Sequence, residues 1–343
     1  MPELPEVETI RRQVSPLIVG RTIAAGWARL DRITRPDVAE FVRRTRGATV
    51  LESGRVGKQL YFPLSNGVYL LIHLGRSGRL AVEPARGRLG AAALPRHVHG
   101  VLRFTDRTQL VYTDPRTFGL LEVAADLSGL RTLGPEPLDP ALDAQALAAE
   151  LGRHSSMIKA VLLDQRQVAG LGNIYADEVC FEAGIHPAVR ACDLSPDQLR
   201  ALVACMRPIL ERAIAARGAT LKDGGYQDLF GQFGEFIPKT YGNTGSPCTV
   251  CGTLIAQGKL GTGKGARSYH FCPSCQGAGP LHLQETAVAP SEFMSDSDAS
   301  AGPDPTLARR ALRDRDILGR VAESARGSES GFAPHLEAEG AAR

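Results

Sequence analysis

The sequence predicts an α+β chain of more than one domain, and three observations lead there. Short β-rich runs separated by Gly, Asn and Asp turn signals fill residues 20–130. Apolar residues at three-to-four spacing take over from Pro140 to about Gly218. Two Cys-x-x-Cys pairs with twenty residues between them follow. The expected parts are an antiparallel sandwich or barrel, a helical domain and a small metal-held hairpin. The 343 residues leave room for two or three domains.

In chain order, residues 2–14 carry Pro2, Pro5 and three early carboxylates, then Arg11 and Arg12. Prolines and acids first and bases later suit a helix and its dipole. Runs 59–63, 68–73, 101–105 and 109–113 read as strands of an antiparallel layer. Leu133-Gly134-Pro135-Glu136-Pro137 reads as a linker. Residues 141–151, 157–163, 174–181 and 196–217 read as helices, the last started by Ser195 as N-cap and Pro196 at the first position. Residues 224–234 are glycine-rich and read as a mobile loop. Beyond Gly279 the chain turns to Ala, Ser, Gly, Pro and charge, which predicts disorder with a transient helix near 307–321. No internal repeat is visible.

Composition is that of a soluble globular protein, 43% hydrophobic and 22% charged. No apolar run of about 18 residues indicates a membrane span. The first eight residues hold three Glu and no apolar stretch, unlike a signal peptide, so a cytosolic or nucleoid setting is expected. Residues 280–343 hold 11 acidic and 7 basic residues, a net of −4, which leaves the body with 33 basic and 26 acidic, a net of +7. A basic body suits a polyanion partner, although an ordinary solvated surface would look the same.

Seven cysteines in a chain without a secretion signal point to metal rather than disulfides. Cys248, Cys251, Cys272 and Cys275 can complete a tetrahedral thiolate shell, each pair at a tight turn. A paired hairpin of this size favours structural zinc over an iron–sulfur cluster or a redox dithiol. A closed shell leaves no open position for catalysis. Lys259, Lys264 and Arg267 between the pairs could face phosphates or simply line a solvated hairpin. Cys180, Cys192 and Cys205 read as buried core thiols.

The N-terminus is chemically suggestive. Removal of Met1 before so small a residue would leave Pro2 with a free secondary amine. At pH 7 roughly a tenth of terminal amines are neutral, against about one lysine in a few thousand. Such an amine can attack a sugar C1′ without deep burial. A secondary amine gives a cationic iminium, an electron sink that acidifies the neighbouring carbon. Glu3 is near enough to serve as general acid or base. A plain helix start explains the same residues without chemistry.

Longer motifs decide between these readings. Pro2–Thr9 (PELPEVET) resembles the start of bacterial formamidopyrimidine-DNA glycosylases, which remove oxidised purines. Arg55-Val56-Gly57-Lys58 is similar to that family's catalytic-lysine turn. Residues 71–75 (LIHLG) and Asp114-Pro115-Arg116 with Phe118-Gly119 resemble its DNA-facing loops. Residues 162–178 (LLDQRQVAGLGNIYADE) resemble its helix–two-turn–helix element. Tyr241-Gly242, the cysteine pairs and Arg267 resemble its zinc finger. The resemblance runs to about residue 279.

The resemblance implies a β-sandwich catalytic domain with a flanking helix over 1–131, a helix–two-turn–helix domain over 139–235, a zinc finger over 240–279 and a disordered tail over 280–343. It implies a monomeric glycosylase and strand-cleaving lyase acting on double-stranded DNA with oxidised bases or abasic sites. Pro2 would form the imine, Glu3 would protonate the ring oxygen or the base, Lys58 would support base release and β-elimination, and Arg267 would hold phosphate for δ-elimination. Asn173, after Gly170-Leu171-Gly172, would grip phosphate where glycines let backbone approach. His73, His97, Arg116, Phe118 and Lys159 would contact DNA or the lesion.

Four departures stand out. Arg76 occupies the position where the family has a Met wedge, Thr117 replaces a second base, and the 222–234 stretch and the zinc hairpin are atypical. The related endonuclease VIII type, which removes oxidised pyrimidines, usually has glycine where Leu4 stands. A non-catalytic relative would have lost Glu3 or Lys58, and both are present.

Overall fold

The computed structural model describes residues 2–220, 226–262 and 266–277. The first helix, α1 (Leu4–Ile18), buries Leu4, Val7, Ile10, Val14 and Ile18 at three-to-four spacing. Leu4 belongs to the core of a helical half, while Val7, Ile10, Val14 and Ile18 belong to the core of a β half. One short helix therefore packs into both.

The β half comprises β1 (Ile23–Ala28), β2 (Thr34–Arg35), α2 (Val38–Thr45), β3 (Gly54–Val56), β4 (Gln59–Pro63), β5 (Tyr69–His73), β6 (Arg79–Pro84), β7 (Val98–Phe104), β8 (Thr108–Thr113) and β9 (Leu120–Ala124). Two sheets form, ordered β1-β7-β8-β6 and β2-β9-β5-β4-β3. Inward residues of both sheets, among them Leu60, Ile72, Leu102, Leu110 and Leu121, share one core, so the architecture is a sandwich. Pairing is antiparallel except for the two-residue β2, which runs parallel to β9. Helix α2 starts at Asp37, whose carboxylate accepts from the Glu40 amide at 2.8 Å.

The helical half holds α3 (Ala144–Leu151), α4 (Ile158–Leu163), α5 (Asn173–Glu182) and α6 (Pro196–Ala215). Ser195 caps α6 through a reciprocal pair with Gln198 (3.2 and 2.9 Å). Antiparallel β10 (Ala256–Leu260) and β11 (Arg267–Phe271) form the hairpin between the cysteine pairs. Among the described residues no helix is long and apolar enough to cross a membrane. Residues 221–225, Lys264 and the tail with its expected helix near 307–321 lie outside the described residues.

A buried ionic cluster joins β11 to the helices. Lys159 on α4 and Asp177 on α5 are both fully buried and pair at 2.7 Å. Asp177 also accepts from the His270 amide at 2.9 Å and lies 3.0 Å from its ring nitrogen. The Lys159 ammonium further donates to the Ser268 carbonyl at 2.6 Å and the Asn173 carbonyl at 3.4 Å. Lys159, expected at the DNA or the lesion, is thus fully buried within this cluster. Cys180 is buried as expected, Cys205 is half-buried, and Cys192 is exposed beside the short turn that precedes α6.

The His186 ring packs 4.1 Å from Phe271, and burial lowers its pKa to about 4. The unfolded imidazole titrates near 6.5. Between these values the unfolded chain binds the proton that the folded chain refuses, so stability falls as pH drops through that window. His186→Phe is expected to flatten the decline of melting temperature between pH 6.5 and 4; parallel wild-type and variant curves would refute the assignment.

Candidate active site

The turn from Gly170 to Tyr175, which leads into α5, is the point where three separate parts of the chain meet. Helix α5 begins after Gly172, a residue with no side chain to cap it. The missing cap comes from 169 residues away. The Glu3 carboxylate is fully buried and accepts from the backbone amides of Gly172 (2.8 Å), Ile174 (3.0 Å) and Tyr175 (3.3 Å). A carboxylate there satisfies orphan donors and meets the positive end of the helix dipole. The Leu4 amide adds a bond to the Gly170 carbonyl at 3.1 Å. Pro2, next in line, is buried beside these contacts.

The glycines of this turn exist for the N-terminal segment. A Cβ on Gly172 would lie 2.3 Å from the Glu3 carboxyl carbon, and one on Gly170 would lie 2.4 Å from Leu4. Gly170 also has φ +97. Gln165 braces the turn by accepting from the Gly170 amide at 3.0 Å and donating to the Leu171 carbonyl at 2.8 Å.

Lys58 arrives from the β3–β4 turn and donates to the same Leu171 carbonyl at 2.8 Å. Burial lowers its pKa, opposed by the charges of Glu3 and Glu6. The turn itself is tied down by Arg55, which donates to the Gly57 carbonyl (2.8 Å) and to the Glu136 carboxylate (2.5 Å), while Glu136 also accepts from the Gly57 amide. Glu6 lies one helical turn beyond Glu3, accepting from the Tyr175 hydroxyl (2.5 Å), the Ala219 amide (2.7 Å) and the Glu3 amide (2.8 Å). Burial first, then the Glu3 charge, raises the Glu6 pKa.

Of the other expected contact residues only Asn173 belongs to this turn; the rest lie on other elements. His73 is half-buried at the end of β5, opposite Gln59, and its Nδ1 accepts from the Gly75 amide at 3.0 Å. Burial, then the Lys58 charge, lowers its pKa, which keeps the ring neutral at pH 7. His97, Arg76, Arg116 and Phe118 are exposed on loops, the Arg116 guanidinium standing 5.1 Å from the Phe118 ring. Asn173 stands at the start of α5 and donates to the Tyr241 hydroxyl at 3.2 Å. Arg267 is exposed at the start of β11.

The four hairpin thiols lie within 4.8 Å of one another, with Cys248–Cys275 at 3.9 Å and Cys251–Cys272 at 3.4 Å. Four thiolates about 2.3 Å from a central zinc sit about 3.8 Å apart, so the set fits a tetrahedral metal ion. Amides of Val250 and Cys275 donate to Cys248 and Cys272 sulfurs at 3.4 Å, supporting thiolate character.

Residues 1–121 match the family model of the formamidopyrimidine-DNA glycosylase N-terminal domain, and residues 133–224 match that of its H2TH domain. The formamidopyrimidine-DNA glycosylase of Paracoccus denitrificans is 41% identical over 285 residues, covering 80% of this chain and 100% of that protein. The chain belongs to the formamidopyrimidine-DNA glycosylase family. It is a DNA-repair glycosylase. The Moorella thermoacetica family member is 44% identical over 261 residues, covering 74% of this chain and 92% of its own. Among solved structures, the MutM (Fpg) protein of Thermus thermophilus matches with a TM-score of 0.71 at 37% identity, covering 81% of this chain and 100% of that one. The Lactococcus lactis Fpg, solved in complex with DNA containing an abasic site, matches with a TM-score of 0.70 at 32% identity, over 80% of this chain and 99% of that one.

Sequence reasoning missed the supporting shell: Glu6, Glu136, Gln165 and Tyr175. Glu6 was visible only as an acid suiting the helix dipole, and Glu136 only as part of a linker. Nothing in the spacing links either to partners 81 to 213 residues away. Gly172→Ala should cost about 1–3 kcal/mol in urea unfolding through overpacking against Glu3. Gly129→Ala, with open space around it, should stay within about 0.5 kcal/mol of wild type. Equal behaviour of the two would contradict the packing account.

Proposed function

We propose that the chain is a bifunctional DNA glycosylase and abasic-site lyase that removes oxidised purines, 8-oxoguanine and formamidopyrimidines, from double-stranded DNA. The observation that carries this reading is the convergence of Glu3, its N-terminal neighbours and Lys58 on the turn at 170–175. Residues 1–131 serve catalysis, 139–235 and 240–279 grip DNA, and the enzyme acts as a monomer. The four cysteines hold zinc, which supplies no chemistry and fixes the hairpin that carries Arg267.

With Met1 removed, the Pro2 lone pair attacks C1′ of the flipped nucleotide. The glycosidic bond breaks, and its electron pair leaves with the base, which takes a proton. Glu3 relays protons to the sugar ring oxygen or the departing base. Ring opening leaves a cationic iminium on Pro2. Loss of a C2′ proton then sends electrons into that sink and expels the 3′ phosphate. A second elimination expels the 5′ phosphate. Lys58, with its pKa lowered by burial, assists base release and the first elimination. Arg267 and Asn173 hold phosphates. His73 and His97 contact the lesion strand, while Arg116, Phe118 and Arg76 fill the gap left by the flipped base.

Cleavage assays test this directly. A duplex with 8-oxoguanine opposite cytosine should be cut to leave a gap with phosphate on both flanking ends, and an N-terminal tag that blocks the Pro2 amine should abolish cutting. Preferential cutting at an oxidised pyrimidine would move the chain to the endonuclease VIII type. Full activity with a blocked terminus would overturn the nucleophile assignment.

A further inference from the structure

Two loops expected to enter DNA are tied together by one buried carboxylate. Asp114 is fully buried between β8 and β9. Its Oδ1 accepts from the Ser77 hydroxyl at 2.5 Å and the Arg116 amide at 3.2 Å. Its Oδ2 accepts from the Gly119 amide at 2.8 Å and the Tyr112 hydroxyl at 3.1 Å. Ser77 closes the circuit, because its hydroxyl oxygen also accepts from the Arg116 amide at 3.2 Å. The side chain of one loop thus bonds the carboxylate and the backbone of the other.

Backbone packing reinforces the link. A Cβ on Gly75 would lie 2.5 Å from the Phe118 carbonyl carbon, so the loops touch main chain to main chain. The first loop is closed by the Gly78 amide on the Leu74 carbonyl at 2.8 Å, the second by the Thr117 amide on the Asp114 carbonyl at 3.2 Å. Thr117 holds φ +54, a conformation that a non-glycine residue keeps only when its surroundings impose it. The result is a rigid base under two exposed groups. Phe118 is 57% exposed although it is large and apolar, and Arg76 stands on the neighbouring turn.

We propose that Asp114 and Ser77 are positioning residues that weld the 74–78 and 114–119 turns into one wedge, so that Arg76 and Phe118 enter the duplex together. The inference rests on the reading of these loops as gap-fillers in DNA. A side chain that must separate stacked bases works only if its backbone does not yield, since unstacking costs a few kcal/mol. Arg76 is a poor apolar wedge, and fixing it beside Phe118 lets the ring unstack while the guanidinium meets the orphaned base. Neither Asp114 nor Ser77 needs to touch DNA.

The test uses the full chain and a duplex carrying 8-oxoguanine opposite cytosine with 2-aminopurine beside the lesion. Single-turnover fluorescence reports unstacking, and product formation reports excision. Ser77→Ala is expected to slow both about tenfold, as is Asp114→Asn. Ser77→Thr, which keeps the hydroxyl, should restore the wild-type rates. Cleavage of a duplex with a preformed abasic site, where no base has to leave the stack, should change less than about twofold. Adding Ser77→Ala to Phe118→Ala should slow unstacking no further, because the two act as a unit. If Asp114→Asn does not fold, the Ser77 variants decide alone. If Phe118→Ala slows unstacking while Ser77→Ala does not, the weld is overturned and the gap-filling reading stands. If Phe118→Ala leaves unstacking at the wild-type rate, the gap-filling reading fails and the weld with it.

Discussion

A carboxylate taken out of water must find several donors or become neutral, and Glu3 finds three at the start of α5. The donors come from a helix that has no cap of its own, so each side completes the other. Because Glu3 opens α1, and α1 packs into both cores, this contact fixes the β half against the helical half. It also fixes what lies within one residue of it: Pro2 on one side and Leu4, bonded to Gly170, on the other. The Lys58 turn follows, because its ammonium reaches the next carbonyl of the same turn. A site assembled across a seam in this way depends on backbone geometry more than on any single side chain.

Charge is arranged to match. Glu3 and Glu6 are buried one helical turn apart, and two charged carboxylates so placed repel. Burial first, and this repulsion second, raises the pKa of Glu6, while the Tyr175 hydroxyl and the Ala219 amide hold its oxygen. Glu8, farther out, is surrounded by Arg11, Arg12 and Arg55, and although burial works against it, those partners hold its pKa down to about 2. Three acids in the first eight residues therefore do three things: one anchors a helix, one accepts protons more readily, and one ties arginines. The Lys159–Asp177–His270 cluster repeats the first theme at the hairpin, where a buried pair joins β11 to α4 and α5.

Local signals in the sequence were legible where local physics decides. Ser195-Pro196 marked the start of α6, and the cysteine pairs marked a hairpin that brings four sulfurs together. The runs 59–63 and 68–73 stood out between turn signals, and they are β4 and β5 within one residue. Helix α2 did not stand out, lying inside the 20–130 stretch read as β-rich, and the two-residue β2 is too short for a period to register. Lys159, a DNA contact by resemblance alone, is fully buried against Asp177, and nothing in the spacing reveals that partner. The glycines at 170 and 172 were seen as openings for phosphate, whereas the space they leave is filled by Leu4 and Glu3. Asp114 was part of a recognised motif, yet its four donors come from two loops and strand β8 and became visible only in three dimensions.

The contact at Glu3 is expected to set the Pro2 amine, and not the Lys58 amine, at the sugar. Lys58 is the natural rival, since burial lowers its pKa and it reaches the same turn. Borohydride reduction of the enzyme–DNA intermediate, followed by trypsin and mass spectrometry, separates the two. The account predicts the nucleotide-derived mass on the peptide of residues 2–11, on its terminal nitrogen. The same mass on a peptide containing Lys58 would contradict it.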